Sequence, residues 1–460
     1  MKLRPARLAL ALLLGAATAL AQAPLEPKVF QLANGMTFLL FDQPEAVTLH
    51  AGWAVALGSG DDPPGLSGMA HLVEHMMFKG TATLAAGELD RLYARAGGGT
   101  PNAFTTADTT VYLASLPAEK LELWFWLESD RLLRPAFPGL AEEIGVIRQE
   151  QAQILGNPTA ALDEALDAAF FPGLPYRRSR FGAPGELEAV REEDLARFVA
   201  EGYAPERLTA VLVGPVEEAR VLSLAERYFG RLPRRPPAAP GREPSGAVLD
   251  EGSGSAPATD SRAAGPRAER RLVLPASGPP RWVARWPTVP SGHPDEAALD
   301  LVVTLLNGRS GRLQPALVAA GLAARASADL QSLRRGGWLA IRVEARPGVE
   351  AGRLEAAVAE VLARLASEEV PESELARARS TSAADALRRL ANPAFLTGRL
   401  LHAAATRTSD GDWRRPLEQP ERVLAVTAQD LKRVVSTLLR RERQLVVEVG
   451  LPAATGGGSP

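Results

Sequence analysis

The sequence predicts an α+β fold: two homologous α+β domains, each a mixed or antiparallel sheet with helices packed on it, joined by a flexible linker. Three observations point there. Strand-like and helix-like stretches of the same kinds recur on both sides of residues 233–267. That segment is dense in Pro, Gly, Ala, Ser and Arg and has no apolar period, as a linker requires. The stretches flanking it are of similar length, as an internal duplication would leave them. The expected division is a leader over 1–21, a first domain over 25–232, the linker over 233–267, a second domain over 268–451 and a disordered tail over 452–460.

Residues 28–41 read as a hairpin, because Asn34-Gly35 separates two apolar runs and that pair favours tight hairpin turns. Residues 47–57 are a second strand-like run. A Gly- and Pro-rich loop follows over 58–65, then a helix starting near Ser67, taken as its N-cap. Residues 118–155 are mostly helical, interrupted near Pro135 and Pro138. Helices are expected over 192–200 and 216–229, with a short apolar strand over 208–213 between them. Beyond the linker, strands are expected over 281–286, 338–345 and 444–449. Helices are expected over 295–306, 349–365 and 375–404, the last broken at Asn392-Pro393.

Composition narrows the function. Of 460 residues, 46% are hydrophobic and 23% charged, enough apolar material for two cores. The net charge of -2 offers no basic field for nucleic acid or anionic lipid. With no cysteine there is no disulfide, thiolate ligand or cysteine nucleophile, so a metal would need His and carboxylates. Lys2, Arg4 and Arg7 precede an apolar run ending at Ala19-Leu20-Ala21, which reads as a cleaved secretory signal. No later stretch is long and apolar enough to span a membrane, so the mature chain is expected to be exported, periplasmic or secreted.

The informative segment is His71-Leu72-Val73-Glu74-His75. On a helix, Met69, Leu72, Val73 and Met76 form an apolar stripe toward the core. His71 and His75 lie one turn apart on another face, where both imidazoles can address one ion. Glu74 is offset beside them, within reach of water at that ion. This is the inverted form of the HExxH zinc motif. A lone His is more often a satisfied or surface residue. Here two of only 5 histidines share an i, i+4 spacing with a Glu between them, while His50, His293 and His402 carry no such spacing. A third ligand must come from elsewhere. Glu142, Glu143 and Glu150 sit on one predicted helix, with Glu143 and Glu150 seven apart on one face around Ile147. Two such glutamates are usually just a solvated face, and spacing does not choose among them.

Residues 68–81, Gly-Met-Ala-His-Leu-Val-Glu-His-Met-Met-Phe-Lys-Gly-Thr, resemble the signature of the M16 (pitrilysin/insulinase) zinc peptidases almost position by position. The resemblance extends to 32–35, 102–105, 110–112, 143–150 and 203–206. It implies His71, His75 and Glu150 as ligands of Zn2+, Glu74 as the general base and Glu143 as a carboxylate orienting a ligand. It also implies that Asn102, Ala103, Phe104 and Thr105 form an edge strand that pairs with extended peptide substrate.

One part of the family pattern is missing. Active members carry in the C-terminal half an Arg and, seven residues later, a Tyr that hold substrate and the oxyanion. With one residue deleted between them, the matching positions here are Val318 and Ala324, which donate no side-chain hydrogen bond. Arg325 is nearby, but a lone Arg is commonly a surface charge. The resemblance then implies a heterodimer with a homologous subunit bearing the Arg/Tyr pair, in preference to a homodimer. Competing readings are a non-catalytic assembly protein of the same fold and a zinc-binding module, which would need the His pair but not Glu74.

Overall fold

The computed structural model describes residues 26–234, 270–275, 278–405 and 413–451. The expected leader over 1–21 and nearly all of the linker over 233–267 and of the tail over 452–460 lie outside the described residues.

The first half contains β1 (Lys28–Gln31), β2 (Thr37–Asp42), β3 (Thr48–Val55), α1 (Met69–Met76), α2 (Glu88–Arg95), β4 (Asn102–Thr105) and β5 (Thr110–Pro117). Then come α3 (Leu121–Leu133), α4 (Leu140–Leu155), α5 (Pro158–Phe170), α6 (Glu192–Gly202), β6 (Leu208–Gly214) and α7 (Glu218–Tyr228). Its sheet runs β1-β2-β6-β3-β5-β4, with β2 and β6 parallel and all other pairs antiparallel. The predicted hairpin at Asn34-Gly35 is β1–β2, with Gly35 at a positive φ of 97°.

The second half contains β7 (Arg270–Leu274), β8 (Arg281–Thr288), α8 (Glu296–Leu306), β9 (Ala323–Leu333), β10 (Gly336–Ala345) and α9 (Ala351–Ser367). It ends with α10 (Glu372–Leu390), α11 (Pro393–Ala405), α12 (Arg415–Ala425), α13 (Ala428–Leu438) and β11 (Leu445–Val449). Its sheet runs β7-β11-β8-β10-β9, with β7 and β11 parallel. This order and these directions repeat β2-β6-β3-β5-β4, so the duplication expected from sequence is present strand for strand.

Both faces of each sheet are buried. In β2, Phe38 and Leu40 join the first half's main core, whereas Leu39 and Phe41 face the other way. That second face is covered by Leu396, Leu400 and Leu401 of α11, a helix of the second half. Reciprocally, Leu162, Leu166 and Phe170 of α5 cover Val283, Ala340 and Val447 of the second sheet. Each half thus lends one helix to the other's sheet. Strands covered on both faces read as apolar runs rather than clean alternations. Polar ties cross the same junction: Arg334 Nη2 donates to Asp61 (2.7 Å), its backbone N–H to Asp108 (2.8 Å), and Arg342 pairs with Asp163 (2.6 Å).

Three devices aim α1. At its start, Asp62 accepts from the N–H groups of Gly68 (2.7 Å) and Ala70 (2.8 Å), satisfying donors that a helix leaves orphaned. Sequence reading assigned that cap to Ser67. Instead Gly68 is the N-cap residue at φ 89°, and Ser67 Oγ donates to Glu186 (2.6 Å) and accepts from Ala183 N–H (2.8 Å). Ser67 lies one residue too early, and a carboxylate six positions upstream of Gly68 does the capping. At the helix end, buried Arg131 donates to the Met77 carbonyl (3.1 Å) and to Glu128 (2.7 Å), which also accepts from Trp53 (2.7 Å) and Tyr93 (2.6 Å). Finally, Arg148 of α4 donates to Glu188 (2.6 and 2.9 Å) and to the carbonyls of Phe181, Gly182 and Ala183, fixing the loop packed against α1.

Two expectations follow. Glu128→Ala strands a buried guanidinium and two buried donors, so stability by urea unfolding should drop by about 3–5 kcal/mol; a loss within the ordinary surface range of about 0.5 kcal/mol would contradict the anchoring role. The Arg148 guanidinium holds the Glu188 carboxyl down to about 2, from an ordinary value of 4.5. A depressed carboxyl stabilises the fold above its unfolded value and loses that contribution as pH falls through its folded value. The stability gap between wild type and Arg148→Ala should therefore be level above about pH 5 and shrink toward pH 2, modestly because the pair is solvent-exposed. A gap that widens on acidification would exclude this assignment.

Candidate metal centre

The apolar stripe predicted for α1 is in the core: Met69, Leu72, Val73 and Met76 are fully buried. This turns His71 and His75 toward α4, their rings 4.7 Å apart at 81°. From α4, Glu150 Oε2 lies 3.7 Å from His71 Nε2 and 3.5 Å from His75 Nε2. These three side chains are the only group of His, Cys, Asp and Glu, among the described residues, whose donor atoms converge within 4.8 Å. Two nitrogens and one carboxylate oxygen suit a catalytic zinc site, which keeps a position open. The choice among Glu142, Glu143 and Glu150 that spacing left open is resolved geometrically: Glu150 faces both Nε2 atoms, and Glu143 faces the far side of His75.

Glu143 Oε1 is 2.8 Å from His75 Nδ1, and its other oxygen meets the Lys79 ammonium. A carboxylate can only accept, so His75 carries its proton on Nδ1 and, when neutral, presents the Nε2 lone pair to Glu150 and His71. Ile147, fully buried, packs between Glu143 and Glu150 and holds them on one face. Burial, then the neighbouring His75 and Arg180, lowers the His71 pKa to about 3, so this imidazole is neutral and available as a donor. Its Nδ1 is buried without a hydrogen-bond partner.

Glu74 is buried, and burial raises its pKa; a hydrogen bond from Thr105 opposes that rise. Thr105 Oγ1 donates to Glu74 Oε2 at 2.5 Å. Thr105 ends β4, which pairs with β5 alone and is the sheet's edge, so the expected segment Asn102, Ala103, Phe104 and Thr105 is an edge strand beside the His–Glu cluster. Asn102 and Phe104 are exposed and Thr105 is buried against Glu74.

Several site neighbours were not foreseen. Asp62 gave no signal, since a cap six residues away leaves no local pattern. The Phe181 ring meets His71 edge-on at 5.3 Å, and Arg180 stacks over Phe181 at 4.7 Å. Phe181 is seated by a backbone crossing: a Cβ on Gly68 would lie 2.8 Å from Gly182 N, and one on Gly182 would lie closer still to the Ser67 carbonyl. Paired glycines 114 residues apart are invisible to local reading.

The positions matched to the family's Arg/Tyr pair fall on two different elements. Val318 sits in a wide helical turn over Gln314–Ala319, and Ala324 lies on β9. The nearby Arg312 is committed to Glu374, at 3.0 and 2.9 Å. His50, His293 and His402 lie away from the cluster, with His50 bonded to Ser115 and His402 to Thr109.

Residues 37–183 match the family described as Insulinase (Peptidase family M16), and residues 189–382 match the description Peptidase M16 inactive domain. An uncharacterised zinc protease of Mycobacterium leprae is 30% identical over 349 residues, covering 75% of this chain and 74% of that protein. The mitochondrial-processing peptidase subunit beta of Lentinula edodes is 29% identical over 208 residues, 45% of this chain and 44% of that protein. Across several of these relatives the chain spans about half their length. Among solved structures, a protease from Helicobacter pylori has a TM-score of 0.78 at 22% identity, covering 93% of this chain and 99% of that one. The first half of the periplasmic protease PqqL from Escherichia coli has a TM-score of 0.73 at 20% identity, covering 92% of each. With its donor set and its zinc-protease relatives, the cofactor is Zn2+. The chain belongs to the M16 family of peptidases.

Proposed function

We propose that this chain is the metal-bearing subunit of a zinc-dependent endopeptidase acting on extended peptides. The observation that carries this is the convergence of His71, His75 and Glu150 beside a buried Glu74, against an unpaired strand edge. Zinc held by those three side chains would polarise the scissile carbonyl and make water more acidic. Glu74 is the general base: it takes the proton of the attacking water and returns it to the departing amine. Thr105 fixes one Glu74 oxygen, leaving the other to work. Glu143 orients His75 and is itself held by Lys79. Asn102 to Thr105 offers free backbone groups to one substrate strand, so unstructured peptide is the substrate class.

The oxyanion donors are the missing part, and a homologous subunit carrying an Arg/Tyr pair is the proposed source. A homodimer would duplicate the zinc site without supplying those donors. The mitochondrial relative is named as one subunit of a processing peptidase, and the description matched by residues 189–382 is that of an inactive domain, which fits a division of labour. We place the domains at 25–232 and 268–451, and the protein outside the cytoplasm. The leader-like start supports export; PqqL is described as periplasmic.

Glu74→Gln should retain zinc stoichiometry and lose about 10²–10⁴-fold in peptide turnover when assayed with the partner. An unchanged rate would favour a binding module. The purified chain alone should bind zinc and cleave peptides poorly; robust cleavage by it would refute the partner requirement.

A further inference from the structure

The two halves correspond strand for strand, and the helices follow. α1 comes after β3 as α8 comes after β8. α4 precedes the exchanged helix α5 as α10 precedes the exchanged helix α11. The second-half counterpart of the metal site is therefore the space between α8, α10 and the edge strand β9. That space is not filled in. It is a cavity of about 490 Å3, bounded also by α11 and α12. The cavity is lined by Glu296 and Asp300 of α8, which share the i, i+4 spacing of His71 and His75, and by Asp385 and Arg389 of α10; counted back from the matching breaks Asn157-Pro158 and Asn392-Pro393, Asp385 stands where Glu150 does. Arg399 of α11 and Arg415 and Arg422 of α12 complete the ring.

Arg422 Nη2 donates to the His293 carbonyl (3.4 Å), but none of the four arginines has a close carboxylate. Among the described residues, no carboxylate lies within 4.0 Å of Arg389, Arg399, Arg415 or Arg422. Arg399 is enclosed by protein on most sides but remains open to solvent through the cavity, and Arg389 faces it as a like charge. Arg415 reaches in across Gly292, occupying the space where a Cβ would stand. The acids of the wall have hydrogen bonds of their own, Glu296 from Gly292 N–H (3.1 Å), Asp300 from Gln419 (2.5 Å) and Asp385 from Arg388, while Glu296 and Asp300 still act on Arg399 as opposite charges at longer range. Guanidinium groups do not deprotonate, and the carboxylates of Glu296, Asp300 and Asp385 offset the four arginines only in part, which leaves room for an added anion. Their planar forks match carboxylate and phosphate oxygens. A cavity of this size takes a small molecule rather than a folded partner.

We propose that the cavity bounded by Arg389, Arg399, Arg415 and Arg422 binds a small multiply charged oxyanion, a phosphate or polycarboxylate. The ligand would bridge α11, which is docked on the first sheet, to α8, α10 and α12 of the second half. Its binding would tie the halves together. It is independent of the zinc site and of the peptidase reading.

The test uses full-length protein, stripped of metal with chelator and then dialysed free of it. Inorganic phosphate, pyrophosphate and citrate are titrated calorimetrically and in thermal unfolding, against sodium chloride at equal ionic strength. We expect saturable one-site binding and a raised midpoint with at least one oxyanion, the preferred one naming the class. Arg399→Ala and Arg389→Ala should each weaken it by about tenfold or more, whereas Arg353→Ala, on the exposed face of α9, should leave it unchanged. Arg399→Lys and Arg389→Lys serve if circular dichroism finds the alanine variants unfolded, and should weaken binding by losing the fork. Stabilisation that chloride reproduces, no saturable binding of any of the three anions, or binding indifferent to substitution at both 389 and 399 would overturn the proposal.

Discussion

Neither half of this protein can cover its own sheet. Strands such as β2, with Phe38 and Leu40 on one face and Leu39 and Phe41 on the other, require apolar cover on both. Each half has its own helices for one face and takes the other's exchanged helix for the second. Everything else inherits this constraint. α4 runs into α5 through a tight break at Gly156 and the N-cap Asn157, with Pro158 as the first helical residue. Once α5 is docked on the second sheet through Leu162, Leu166 and Phe170, the direction of α4 is set, and with it the reach of Glu143 and Glu150. The candidate zinc site is thus built from first-half residues but aimed partly by second-half packing.

The electrostatics of the site depend on that aim. His71 is kept neutral chiefly by burial, and burial likewise raises Glu74 toward its protonated form. Two elements oppose isolation of charge. Thr105 donates to Glu74, and Lys79 and His75 share Glu143, so each buried carboxylate has a donor with defined geometry. The arrangement separates two glutamates by environment: Glu150 is half-buried and faces the imidazole nitrogens, whereas Glu143 is buried behind one of them. Residues of the same type and on the same helix face acquire different chemistry from one turn of packing on either side of Ile147.

Much of this was legible in the sequence where the signal is local. The Asn34-Gly35 turn, the stripe Met69-Leu72-Val73-Met76, the breaks at Pro135 and Pro138, and the Asn392-Pro393 interruption all reflect backbone rules that act within a few residues. What escaped was non-local or disguised. β9 carries Arg, Ser, Asp and Gln among small residues because it is an edge strand with one solvated side, and that pattern resembles a loop. α12 contains Pro416 in its first turn and Pro420 within, which sequence reading takes as breakers; both are buried against neighbouring elements, and tertiary packing overrides propensity. Nothing in the residues of α5 says that its apolar side belongs to the other half. The Ser67 cap failed for a related reason: the satisfying carboxylate came from Asp62, across a loop.

The duplication also explains why only one half can be the metal site. The frame that presents two imidazoles to a carboxylate in the first half carries no histidine on α8 in the second, where Glu296, Asp300, Asp385 and Arg389 line the recess. Arginines in the recess repel a divalent ion, and carboxylates without imidazole suit hard oxygen-seeking cations better than zinc. The side chains that line the recess, not the frame around it, decide what it can hold. Packing did not have to change with them, since the exchanged helices and the sheet order are indifferent to what lines the space between them. Common scaffolding with a differently lined recess is what lets the second half support the first structurally without its imidazole pair.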